Sequence, residues 1–149
     1  MIIKEGNLLE QKGYLFHQTN CKFVMGSGIA LQIRNTFPKV YNSYLSFGDE
    51  CRKNGISPLG TYQVVELEEC KVVNVFSQDS YGKTGLHTDY AAMENSFQLF
   101  VNNEPSGIYN FPYLFGCGTG GGDWKIVSEI IERYFPDAII WKYNSQSKF

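Results

Sequence analysis

Two stretches of this sequence gather side chains that can do chemistry at close range. The first is His17-Gln18-Thr19-Asn20-Cys21, which brings together an imidazole, two amides, a hydroxyl and a thiol. It runs into a glycine-rich turn, Val24-Met25-Gly26-Ser27-Gly28-Ile29-Ala30. The second stretch, Gly116-Cys117-Gly118-Thr119-Gly120-Gly121-Gly122-Asp123, is almost bare of side chains. Glycine lets the backbone approach a phosphate, and where a strand hands over to a helix the free N–H groups and the positive helix end converge on an anion. Both stretches sit at such junctions, so they are expected to face each other across one diphosphate cleft. Neither fits G-x-x-x-x-G-K-[ST], which sets a nucleoside triphosphatase loop aside.

The elements that must position these loops alternate in type. Gly13-Tyr14-Leu15-Phe16-His17 reads as a short buried strand ending at the histidine. A helix follows the first loop, with Ile29, Ile33 and Phe37 at four-residue steps, and Pro38 ends it or starts another. Tyr41, Tyr44, Leu45 and Phe47 line a second short helix. Tyr62-Gln63-Val64-Val65-Glu66 and Val72-Val73-Asn74-Val75-Phe76 are β-branched strands. Thr88 or Asp89 caps a helix carrying Tyr90, Met93, Phe97, Leu99 and Phe100. A strand over 107–111 leads to the second loop, Asp123 caps a helix with Trp124, Val127, Ile131 and Tyr134 inward, and 138–143 closes the chain as a strand. The pattern predicts one α/β domain over 1–149, helices on both faces of the sheet and the ligand at the carboxyl ends of strands.

Composition narrows the partners. Thirteen Lys and Arg against fifteen Asp and Glu leave no basic stripe for a nucleic-acid backbone, so phosphate must be held by backbone N–H groups. Cys21, Cys51, Cys70 and Cys117 lie far apart in sequence, without the C-x-x-C pair that opens a zinc site, and no metal is expected. The start, Met1-Ile2-Ile3-Lys4-Glu5-Gly6, turns to charge and glycine too soon for a signal peptide, and no apolar run approaches a membrane span. These features lead us to expect a cytosolic protein without membrane contact.

His17-Gln18-Thr19-Asn20-Cys21, Met25-Gly26-Ser27-Gly28-Ile29-Ala30 and Phe37-Pro38-Lys39-Val40-Tyr41 resemble the first ligand loop and helix of macrodomains. Gly116-Cys117-Gly118 with Gly121-Gly122-Asp123-Trp124 resembles their second loop, and Lys4-Glu5-Gly6-Asn7-Leu8-Leu9 their opening. The resemblance is nearest to the branch of ADP-ribose 1''-phosphate phosphatases, terminal ADP-ribosyl-glutamate hydrolases and small viral macrodomains. It implies a three-layer α/β/α fold with a central mixed sheet, ADP-ribose or a derivative as ligand, no cofactor, and a monomer.

Carried over residue by residue, the resemblance implies that Asn7 stands where an acidic adenine contact is usual, with Leu8 beside it. Asn20 lies near the distal ribose, and Met25, Gly26, Ser27, Gly28 and Ile29 wrap the diphosphate. Phe115, Gly116, Cys117, Gly118, Thr119, Gly120 and Gly121 form the facing loop, and Trp141 or Tyr143 the adenine wall. The lysine nucleophile of the deacylating relatives is replaced by Gln78, and its partner aspartate by Gly120; Lys83 lies five residues further on. Glutamine forms no Schiff base. His17 then becomes the expected general base or phosphate-orienting group, with Asn20 and Asp123 as further catalytic candidates. The leading expectation is an ADP-ribose 1''-phosphate phosphatase. A non-catalytic reader or sponge, and a hydrolase of ADP-ribosylated macromolecules, are the alternatives.

Overall fold

The computed structural model describes residues 1–82 and 84–143. Six strands form one sheet in the order β1-β6-β5-β2-β4-β3, with β1 Ile2–Glu5, β2 Gly13–Asn20, β3 Tyr62–Glu66, β4 Cys70–Gln78, β5 Tyr109–Pro112 and β6 Ile139–Lys142. All neighbours run parallel except β3, which pairs antiparallel with β4 at the edge. The helices are α1 Gly28–Thr36, α2 Pro38–Asn54, α3 Tyr90–Asn103 and α4 Trp124–Tyr134. None of the described helices is long and apolar enough to cross a membrane.

Strand alternation sorts the core onto two faces. Tyr14, Phe16, Val73, Val75, Phe111 and Ile140 meet α3 and α4 through Met93, Phe97, Val127 and Ile131. Leu15, Val65, Val72 and Phe76 meet α1 and α2 through Ile33, Val40 and Tyr44. The result is the three-layer α/β/α arrangement with a central mixed sheet that the sequence led us to expect. Pro38 takes the first turn of α2, where its missing N–H costs nothing. Asp89, rather than Thr88, caps α3, its carboxylate accepting from the Ala92 N–H at 3.0 Å.

Two differences from the sequence reading matter. β2 runs three residues beyond His17, and β1 is a strand that the alternating pattern did not announce. Every residue of β1 is exposed, so no apolar face marks it.

The connections create the cleft. β2 is followed by α1 on one face, whereas β5, its neighbour in the sheet, leads to α4 on the other. The loops leaving these two strands therefore part company and leave a crevice above the sheet, the usual ligand position in open α/β folds.

The first loop is anchored at its base by Phe23, whose φ of 61° is unusual for a non-glycine residue. Its ring packs on Tyr44 and Phe76 and lies flat against Gly48 of α2, where an added Cβ would stand 2.7 Å from the ring. Mid-helix Gly→Ala ordinarily gains up to about 1 kcal/mol. Overpacking costs about 1–3 kcal/mol. At this position the ring cannot move without abandoning its seat, so the second effect wins. Gly48→Ala is therefore expected to lower the unfolding free energy in a urea titration. Wild-type or higher stability would mean that Phe23 does not anchor the loop.

Candidate functional site

Three compartments lie end to end above the strand ends. One, about 340 Å³, sits over β6 and is lined by Gly6, Asn7, Leu8, Gln32, Trp141 and Tyr143 among others. The central one, about 350 Å³, lies between Ser27–Gly28–Ile29 and the second loop from Phe115 to Gly120. The third, about 440 Å³ over β4, is lined by Gln18, Asn20, Gly26, Ser27, Gln78 and Tyr81 among others. Ile29, Pro112 and Tyr113 are shared by the first two, and Gln18, Ser27, Gln78 and Thr119 by the last two, so the three form one cleft.

Local chemistry explains how each wall is held. Asn20 shapes the first loop: its Oδ1 accepts from the N–H groups of Lys22 and Val24, and its Nδ2 donates to the Val24 carbonyl at 2.8 Å. The Tyr44 hydroxyl donates to the Asn20 carbonyl at 2.6 Å, which ties this turn to α2. α1 then begins at the cleft, and its first N–H groups have no intrahelical acceptors. An anion in the central compartment meets them together with the positive end of the helix.

The second loop is wired to residues 87 and 88. The Gly120 carbonyl accepts from the N–H groups of His87 and Thr88, at 2.7 and 3.0 Å, and the Gly116 carbonyl accepts from the Thr88 hydroxyl at 2.6 Å. A Cβ at Gly120 would stand 2.5 Å from that hydroxyl, so the close approach requires glycine. Gly118 differs, because a Cβ there meets nothing within 4 Å.

Over β6, Trp141 is held by its indole N–H, which donates to Asn110 at 2.8 Å. Both Trp141 and Tyr143, the two candidates for an aromatic wall, line this compartment. Asn7 lines it too, while its Oδ1 accepts from the Leu9 N–H and caps a 3₁₀ turn over Leu8–Glu10.

Several expected site residues stand elsewhere. Met25 is a core residue, 1% exposed. Cys117 turns its thiol to the Phe115 carbonyl, and Gly121 packs on the Gly85 carbonyl; neither lines the cleft. Asp123 is an exposed N-cap of α4, accepting from the Lys125 N–H, and is not a lining residue. Phe115, expected in the facing loop, lines the central compartment together with Tyr113 and Leu114. Lys83 lies outside the described residues. Gln32 and Tyr81 line the cleft without having been named from the sequence, and Gln18 and Ala30 line it although no individual role attached to them in the sequence.

His17 is the largest correction. Because β2 continues to Asn20, the imidazole is a mid-strand group on the face of Leu15, fully buried and absent from the lining of every compartment. Its Nε2 donates to Asn74 Oδ1, Asn74 donates to Gln63, and Gln63 donates to the Ser43 carbonyl of α2. Its Nδ1 is buried with no donor or acceptor in reach. A second ring proton would have no acceptor, and burial pushes the pKa down to about 4 against a smaller opposing effect of the Asn74 bond. The thiols beside the cleft are also quiet. Burial pushes Cys21 up to about 11, aided by Asp79, and does the same to Cys117, aided by Asp123.

The Macro domain family model matches residues 16–131, and the chain belongs to that family. An uncharacterized 17.5 kDa protein from the tk-vs intergenic region of Enterobacteria phage T4 is 28% identical over 129 residues, covering 79% of this chain and 77% of that one. The macrodomain of Thermus aquaticus DarG superposes with a TM-score of 0.74 at 22% identity, covering 97% of this chain and 98% of that one. Thermosipho africanus DarTG, solved in complex with ADP-ribose, superposes with a TM-score of 0.71 at 19% identity over 98% of this chain and 45% of that one.

The depressed pKa of His17 has a consequence for stability. Above about pH 6.5 the imidazole is neutral in both states and its contribution is complete. Between about 6.5 and 4 the unfolded chain takes up a proton that the folded one refuses, so stability falls with pH, by on the order of 3 kcal/mol across the window. His17→Gln removes this component. Urea titrations from pH 7 to 4 should show a shallower acid loss in the variant, whatever its stability at pH 7. Parallel curves would contradict the buried, neutral assignment.

Proposed function

We propose that this chain binds ADP-ribose, or a molecule containing it, and holds the ligand without hydrolysing it. The three compartments suit the three parts of such a ligand in order. An aromatic wall with Asn7 beside it suits adenine over β6, and the α1 N-terminus facing the second glycine loop suits the diphosphate. The compartment over β4 suits the distal ribose. The ADP-ribose complex of a DarTG of like fold supports the choice of ligand.

One observation carries binding over turnover. Among the described residues, the floor beneath the distal position is a set of mutually hydrogen-bonded neutral groups, Gln18, Gln78, Ser77 and Thr88, where the hydrolytic readings need a lysine or an imidazole. The phosphatase expectation rested on His17, which lies beneath α1 and α2.

Gly118→Glu separates the cleft from the rest of the molecule. The new side chain meets no atom of the fold near its Cβ, so the variant should stay folded by circular dichroism. Its carboxylate enters the central compartment and repels a diphosphate, so calorimetry should register at least a tenfold loss of ADP-ribose affinity. Wild-type protein incubated with ADP-ribose 1''-phosphate should release phosphate no faster than buffer. Undiminished affinity in folded Gly118→Glu would refute the diphosphate position, and enzyme-dependent phosphate release would refute the non-hydrolytic reading.

A further inference from the structure

We infer that Gln78 reads the far end of the ligand by presenting its amide N–H pair to the compartment over β4, in an orientation that Thr88 enforces from outside the cleft. This deepens the ADP-ribose reading above and rests on it. Gln78 ends β4, is 6% exposed, and lines both the central compartment and the one over β4.

Proton counting sets the orientation. The Gly116 carbonyl can only accept, and the Thr88 hydroxyl spends its one hydrogen there at 2.6 Å; the Gln18 Oε1 is more distant at 3.4 Å. The Thr88 oxygen must then receive a hydrogen from its neighbour, and Gln18 Nε2 stands 3.0 Å away. That turns the Gln18 oxygen toward Ser77, whose hydroxyl donates to it at 2.6 Å. The remaining hydrogen of Gln18 Nε2 goes to Gln78 Oε1 at 2.9 Å. Gln78 therefore keeps its oxygen inside the network and turns its nitrogen away from it, and among the described residues no acceptor meets that nitrogen.

The partner defined by this arrangement is a hydrogen-bond acceptor carried at the distal end, such as a hydroxyl, ring or ester oxygen of the second sugar. A flipped amide offers an oxygen instead and sets its own N–H groups against those of Gln18 Nε2, two donors facing each other. Gln78 is thus a specificity-determining residue. Thr88, 4% exposed and absent from the cleft lining, is a positioning residue.

The test compares ADP-ribose with ADP, which lacks the second sugar, by calorimetry on the full chain. Gln78→Glu keeps an oxygen for Gln18 and replaces the outward donor by an acceptor, so the ratio of ADP-ribose to ADP affinity should fall tenfold or more. Thr88→Val removes both the donor to Gly116 and the acceptor for Gln18, and should lower the same ratio several-fold. Thr88→Ser should restore it, which a purely structural role for the threonine methyl does not predict. If Thr88→Val fails to fold, Gln78→Glu and Gln78→Met decide the matter, both with a reduced ratio. A folded Gln78→Glu variant with the wild-type ratio overturns this inference alone. Wild-type protein that binds neither ligand overturns the ADP-ribose reading and this inference together.

Discussion

Adjacent strands β2 and β5 send their chains to opposite faces of the sheet, so no backbone closes the space above the seam between them. The cleft follows from that topology. Everything else about the site is a matter of how close two loops approach across the gap and what holds them there. The first is held from the α2 side, by Tyr44 on the Asn20 carbonyl and by Phe23 seated on Gly48. The second is held from the α3 side, by residues 87 and 88 on the carbonyls of Gly116 and Gly120. Each wall is thus fastened to a different helical layer, and the sheet sets the distance between them.

The two faces of β2 divide the polar work. On the α1/α2 face His17, Asn74 and Gln63 pass hydrogen bonds to a helix carbonyl and settle a buried row of polar groups. On the other face Gln18, Ser77 and Thr88 do the same for the floor of the cleft, and Gln78, at the end of β4, joins them with one end of its amide still open to a ligand. Buried polar networks are tolerable only when nearly every member is satisfied. The first keeps one orphan, the His17 Nδ1, and answers it by keeping the ring neutral. In the second the remaining donors of Gln78 are left for whatever enters.

Much of this was legible in the residues. Glycine, proline and helix-capping residues constrain the backbone locally, so the two loops and the Asp123 cap could be read directly, whereas Pro38 could end one helix or start another and in the structure opens α2. Trp141 and Tyr143, between which the sequence left the choice open, both line the compartment over β6. β1 was not, because Ile2-Ile3-Lys4-Glu5 is exposed throughout and shows no alternation. His17 was misplaced for a related reason. The polar run from His17 to Asn20 looks like the end of a strand, yet the strand continues through it because β4 pairs with it and Asn74, Gln78 and the Val75 carbonyl receive the side chains of His17, Gln18 and Thr19. Gln18 was overlooked because its partners Gln78 and Thr88 lie 60 and 70 positions away, beyond the reach of any local pattern.

The central claim is that one ligand spans both loops and the β6 end of the cleft while the buried histidine takes no part. Titration of isotopically labelled protein with ADP-ribose, followed by two-dimensional NMR, tests this most directly. The account predicts that the backbone amides of residues 27–30 and 116–120 and the Trp141 indole shift together along one binding curve, while the His17 ring signals stay in place and the ADP-ribose remains intact. Shifts confined to one loop, movement of the His17 ring with the ligand, or the absence of any saturable shift would contradict it.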